Sequence, residues 1–121
     1  MEGRTVAMRK LDGEQVLMRI FVGESDRWEH RPLHAALLEL FRTRGLAGAT
    51  VLRAVAGFGA NSVVHTANIL RLSADLPLVI EVVDSQERLE AVLPAVDGMM
   101  RGGLITMEKV RVLKYDQTPT G

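Results

Sequence analysis

Cysteine is absent from the 121 residues, which excludes disulfides, thiol nucleophiles and thiolate metal sites. Aromatic residues are nearly as scarce, with three Phe, one Trp and one Tyr, so Leu, Val, Ile and Ala have to build the core. Neither sign of charge dominates. Fifteen Lys and Arg balance fifteen Asp and Glu, and the basic footprint of a general nucleic-acid binder is missing. No apolar run approaches the roughly 20 residues of a membrane-spanning helix. Residues 1–14 are charged and have no apolar secretory core, and Met8-Arg9-Lys10 also reads as a natural start. A soluble, cytoplasmic chain is expected, and the lack of cysteine fits a reducing compartment.

What is present suits one domain, which at this length buries roughly two thirds of its unfolded surface. We place that domain at residues 14–114, between a flexible segment 1–13 and a tail 115–121. Val16, Met18, Ile20 and Val22 alternate with Gln15, Leu17, Arg19 and Phe21, the period of a strand. Gly23-Glu24-Ser25-Asp26 reads as a loop. Pro32 suits the first turn of a helix, Leu33, Ala36, Leu37, Leu40 and Phe41 form its apolar stripe, and Gly45 caps its end. A second strand is expected over 49–56, with Leu52 on one face and Val51 and Val55 on the other. Residues 57–75 start irregular and turn helical near 67–72. A third strand opens at Pro77 and carries Leu78, Ile80 and Val82. Asp84 or Ser85 caps a second helix with the stripe Leu89, Val92, Leu93 and Val96, which Pro94 kinks or ends. Gly102-Gly103 precedes a last strand over 104–113.

The order β-α-β-β-α-β predicts an α+β, ferredoxin-like sandwich, a four-stranded antiparallel sheet with both helices on one face. The other face then carries Leu17, Arg19 and Phe21, with Val51, Arg53 and Val55, and Val79, Glu81 and Val83. So apolar a surface marks an interface, and self-association is expected, with Arg19, Arg53 and Glu81 forming ion pairs.

Residues 54–70 contain no Asp, Glu, Lys or Arg, and Gly57-Phe58-Gly59-Ala60-Asn61-Ser62 lies among them. Glycines let backbone N–H groups approach an anion, but neither the Lys of a P-loop nor a dinucleotide fingerprint follows. A flexible strand extension explains the run better than a phosphate motif does. His65 is a candidate base or ligand. His30 and His34 have helical metal spacing, yet His30 falls before Pro32 and no third ligand is near. Turn and capping roles account for Glu24, Asp26, Asp75 and Asp84. No catalytic constellation emerges, and the chain is not expected to be an enzyme. The competing readings are a ligand-free structural adaptor and a small enzyme using His65 with Asp75 or Glu24 as acid and base.

Longer strings add to this. Phe21-Val22-Gly23-Glu24, Gly48-Ala49-Thr50-Val51-Leu52-Arg53, Gly57-Phe58-Gly59 and His65-Thr66 occur in order. They are followed by Leu70-Arg71-Leu72-Ser73-Ala74-Asp75-Leu76-Pro77, Ile80-Glu81-Val82-Val83-Asp84 and Gly102-Gly103-Leu104-Ile105. Together they resemble the DUF190 family over residues 14–113. That family is similar in fold to PII signal-transduction proteins, so the resemblance implies a homotrimer with its apolar sheet faces at the centre. It also implies small ligands such as adenine nucleotides between subunits, and a regulatory loop, here from Phe58 to Asp75, that contacts a partner. Arg53, Gly57, Phe58, Gly59, Asn61, His65, Arg71 and Arg101 are the candidate ligand residues. The PII loop signature with its modifiable tyrosine is absent, since the only tyrosine is Tyr115. Some relatives are linked to fluoride channels, which implies a membrane transport or channel protein as partner.

Overall fold

The computed structural model describes residues 11–58, 65–66 and 75–116. Alternation dictates the centre of the fold. In β1 (Gly13–Gly23), Val16, Met18, Ile20 and Val22 are buried while their neighbours are half-exposed. The hairpin of β2 (Arg27–Trp28) and β3 (Arg31–Pro32) follows, its turn made by Glu29 and His30 with φ of 48° and 68°. Positive φ at both central residues gives the twist that matches flanking strands.

Helix α1 (Leu33–Thr43) buries Leu33, Ala36, Leu37 and Phe41 at helical spacing. Its end is a Schellman motif, in which the Gly45 N–H donates to the Arg42 carbonyl and the Leu46 N–H to that of Phe41. Gly45 has φ 75°, as the motif requires. The chain continues through β4 (Ala49–Arg53), the short β5 (Ala56–Gly57) and β6 (His65–Thr66), and β7 (Pro77–Asp84). Helix α2 (Gln86–Met99) and β8 (Leu104–Val112) complete the order. The four long strands form one antiparallel sheet in the order β4-β7-β1-β8. Both helices pack on one face of it, where Leu37, Phe41, Leu89, Val92 and Val96 meet Met18, Ile20, Ile80 and Val82. The expected α+β, ferredoxin-like arrangement is the one observed.

The structure decides two local expectations, and a third falls on residues it does not describe. Of the two cap candidates, Asp84 and Ser85, it is Ser85 that caps α2, its Oγ accepting from the Arg88 N–H at 3.2 Å. Pro94 does not end the helix, which runs five residues further. Pro94 and Glu90 are both on the exposed side, so the Glu90 carbonyl that loses its donor is left to water. The predicted helix near 67–72 lies outside the described residues. Among those residues, no helix is long and apolar enough to cross a membrane.

Gly103 fixes how β8 enters the sheet. Its φ is 98°, and a Cβ there would lie 2.5 Å from the Phe21 carbonyl oxygen. Gly103→Ala is expected to cost about 2 kcal/mol from backbone strain and the forced shift. In a thermal melt that corresponds to a drop on the order of 10 °C for a domain of this size. An unchanged midpoint would show that the turn relaxes freely.

Candidate functional site

Antiparallel pairing collects one set of strand ends. β1 and β4 finish where β7 and β8 begin, so residues 24–26, 54–55, 75–76 and 100–103 all lie at the same end of the sheet. Backbone bonds tie these connections together. The Glu24 N–H donates to the Leu76 carbonyl and the Ala54 N–H to that of Pro77, both at 2.9 Å. Asp75 Oδ1 accepts from the Ser25 N–H at 3.0 Å, and Asp26 Oδ2 from the Gly23 N–H at 2.9 Å. Asp26 and Asp75 thus have the turn roles expected of them.

The candidate ligand residues can now be placed. Arg53, the last residue of β4, donates from Nε and Nη2 to a single oxygen of Glu24, at 3.3 and 3.1 Å. The pair is solvent-accessible, with Arg53 57% and Glu24 31% exposed. Gly57 lies against Pro77, whose Cγ would be 2.9 Å from a Cβ at that position. It also pairs with His65 in the β5–β6 ladder, so two candidates that are eight residues apart face each other across two strands. Val55 and Phe58 stand 76% and 71% exposed beside this ladder. Gly59, Asn61 and Arg71 lie outside the described residues. Arg101 is at the same end of the sheet, in a shallow depression of about 390 Å³ that Asp97, Met100 and Ile105 also line. However, β4 and β8 are the two edges of the sheet, three strand spacings or about 14 Å apart. Arg53 and Arg101 therefore stand at opposite edges of the sheet.

His30 sits in the β2–β3 turn and His34 in α1. Among the described residues, no group of three or more His, Asp or Glu side chains is placed to hold a metal ion.

On the uncovered face the register sets who is neighbour to whom. Leu52, Val79, Phe21 and Leu104 are paired in succession, an apolar row across all four strands. The next row is Thr50, Glu81, Arg19 and Thr106, and Val83, Leu17 and Glu108 form a third. Arg19 donates from Nε to Glu81 at 3.0 Å and from Nη1 to Glu108 at 2.5 Å. These hydrogen bonds, first to Glu81 and then to Glu108, push the guanidinium pKa further above its ordinary value.

One assignment on this face is corrected. Val51 is paired with Ile80 and Arg53 with Leu78, so both project toward the helix side, and Val55 lies beyond the end of β4. Thr50 and Leu52 take the open positions instead. A strand shifted by one residue exchanges its faces, and here pairing with β7 decides the parity. Arg53 accordingly pairs with Glu24 rather than across the sheet. Leu104, Thr106 and Glu108 were missed by the sequence reading, although their alternation with Ile105 and Met107 is legible in the chain.

Comparison with known proteins agrees with this architecture. The model of the DUF190 family (Uncharacterized ACR) matches residues 15–112. A UPF0166 protein of Aquifex aeolicus is 39% identical over 97 residues, 80% of this chain and 91% of that one. One from Methanocaldococcus jannaschii is 31% identical, over 81% and 91% of the two chains. Among solved structures, CPII from Thiomonas intermedia K12, bound to ADP and bicarbonate, superposes with a TM-score of 0.54 at 15% identity, covering 88% of this chain and 93% of that chain. A second structure of CPII, described as a nitrogen regulatory PII-like protein and bound to ADP, AMP and bicarbonate, gives a TM-score of 0.55.

Proposed function

Because this chain belongs to the DUF190 family and has a PII-like fold, we propose that it is a PII-like regulatory protein and not an enzyme. In this reading it forms a homotrimer through the open sheet face and holds a small anion, an adenine nucleotide, between subunits. It contacts its partner, a membrane transport or channel protein, through the loop from Phe58 to Asp75. The observation that carries the reading is the placement of Arg53 and Arg101 at one end of the sheet but on its opposite edges. Such a pair suits a ligand held where the β4 edge of one subunit meets the β8 edge of the next. ADP and AMP are bound by CPII, and their phosphates suit two arginines and the glycine backbone at Gly57. The exposed apolar side chains of Val55 and Phe58 beside the loop suit a partner surface.

Calorimetric titration with ADP, AMP and ATP tests this. Binding is expected, and Arg53→Ala and Arg101→Ala should each weaken it at least about tenfold, the worth of one charge-assisted hydrogen bond. Glu24 competes with a ligand for Arg53. Glu24→Gln should therefore tighten binding roughly two- to five-fold, the range of an exposed ion pair. No heat with any of the three nucleotides removes the nucleotide reading.

A further inference from the structure

Glu24 is held by its backbone as well as by its side chain. Its N–H donates to the Leu76 carbonyl at 2.9 Å. On either side of it, the Gly23 N–H donates to Asp26 Oδ2 at 2.9 Å and the Ser25 N–H to Asp75 Oδ1 at 3.0 Å. Gly23 is also closely packed, since a Cβ there would lie 2.6 Å from Asp75 Oδ1. Arg53 is fixed to the same stretch of chain. It is paired with Leu78, and the next N–H, that of Ala54, donates to the Pro77 carbonyl. The ion pair from Arg53 Nε and Nη2 to Glu24 Oε1 therefore joins two side chains whose backbones part only if those bonds break.

This anchoring decides where the Glu24 carboxylate goes when an anion takes Arg53. Rotation about its side-chain bonds carries it off the guanidinium, but the pinned backbone keeps it within one side-chain length of its present place. It stays as a negative charge beside the ligand. Breaking the ion pair costs every anion alike. The repulsion that follows does not, because it grows with the charge the ligand brings. From AMP through ADP to ATP that charge rises with each added phosphate. We infer that Glu24 is a specificity-determining residue of the nucleotide site proposed above, on which this rests, and that it biases the site toward shorter phosphate chains and against ATP. A like charge placed beside the ligand discriminates by repelling the wrong one, as selective sites commonly do.

Calorimetric titration of the full chain with AMP, ADP and ATP tests it, with a chelator present so that no divalent cation masks the phosphates. For Glu24→Gln, affinity is expected to rise about twofold for AMP and about fivefold for ATP, with ADP between them. The difference between ligands should shrink from about 0.1 M to about 1 M salt, as the screening length falls from roughly 10 to 3 Å. Glu24→Asp separates competition from repulsion. One methylene shorter on the same pinned backbone, it falls short of Arg53 but keeps its charge. All three ligands should then tighten by one common factor, and the wild-type ratio of AMP to ATP affinity should persist, with circular dichroism unchanged in both variants. Equal gains for the three nucleotides in Glu24→Gln overturn the inference while leaving the nucleotide site. So does an aspartate variant whose AMP to ATP ratio matches that of the glutamine variant. No heat with any nucleotide removes the site, and the inference with it.

Discussion

Replacing Asp84 by alanine is expected to lower the unfolding free energy by about 3 kcal/mol, because two partly buried backbone donors lose their acceptor at 1–3 kcal/mol each. Asp84 is fully buried at the core-facing end of β7. Its Oδ2 accepts from the Ala47 N–H at 2.9 Å and its Oδ1 from the Ser85 N–H at 2.7 Å. The first bond pins the connection between α1 and β4, and the second pins the start of α2, where a helix N-terminus also favours a negative group. The Ala47 peptide is held from its other side as well, since the Tyr115 hydroxyl donates to the Ala47 carbonyl at 2.7 Å. One carboxylate thereby joins both helices to the sheet at the end opposite the candidate site. Asp84→Asn keeps the shape but presents an N–H₂ toward one of the two donors, and should cost about 1–2 kcal/mol for that single broken bond. Urea unfolding measures both variants. An alanine variant within about 0.5 kcal/mol of wild type would mean that water replaces the carboxylate at no penalty, against the usual cost of a buried unsatisfied donor.

Most of this fold was legible because burial on one side imposes a period. Val16 to Val22 and Leu78 to Val82 alternate cleanly since one face meets the helices and the other does not. The stripe of α1 and its Gly45 cap read directly for the same reason. What stayed hidden was tertiary. Residues 49–53 offer Val51 and Leu52 side by side, so local pattern gives no parity, and only pairing with β7 turns Leu52 outward. The β2–β3 hairpin escaped notice because its turn is Glu29-His30, without the Asn or Gly that ordinarily marks positive φ. The candidate site was half legible. Its residues were named from strings and charge, but the Glu24–Arg53 pair and the pairing of Gly57 with His65 depend on contacts between distant parts of the chain. Asp84 was one of two cap candidates, with Ser85, because its neighbours in sequence suggest one, whereas its partner Ala47 is 37 residues away.

In the proposed assembly, Phe21→Glu should separate the subunits without unfolding them. Phe21 sits in the middle of the apolar row, paired with Val79 on one side and Leu104 on the other. Within a subunit it is only half-buried, so a glutamate there remains hydrated and folding changes little. In an assembly formed through this face the same position is covered. Losing the apolar contact costs roughly 1.5–3 kcal/mol for a large side chain. Desolvating an unpaired carboxylate adds several kcal/mol more, and the described residues of this face offer it no free cation, because Arg19 is already shared by Glu81 and Glu108. A combined loss of about 4 kcal/mol or more per contact weakens association on the order of a thousandfold. Sedimentation velocity should then show a monomer at concentrations where the wild type is associated, with a thermal midpoint changed by only a few degrees. Leu113→Glu serves as the comparison. Leu113 is 80% exposed just past the end of β8, and the same change of charge there should leave association intact. A Phe21→Glu variant that assembles like the wild type would show that the row from Leu52 to Leu104 faces water, and the proposed ligand site between subunits would lose its geometric basis.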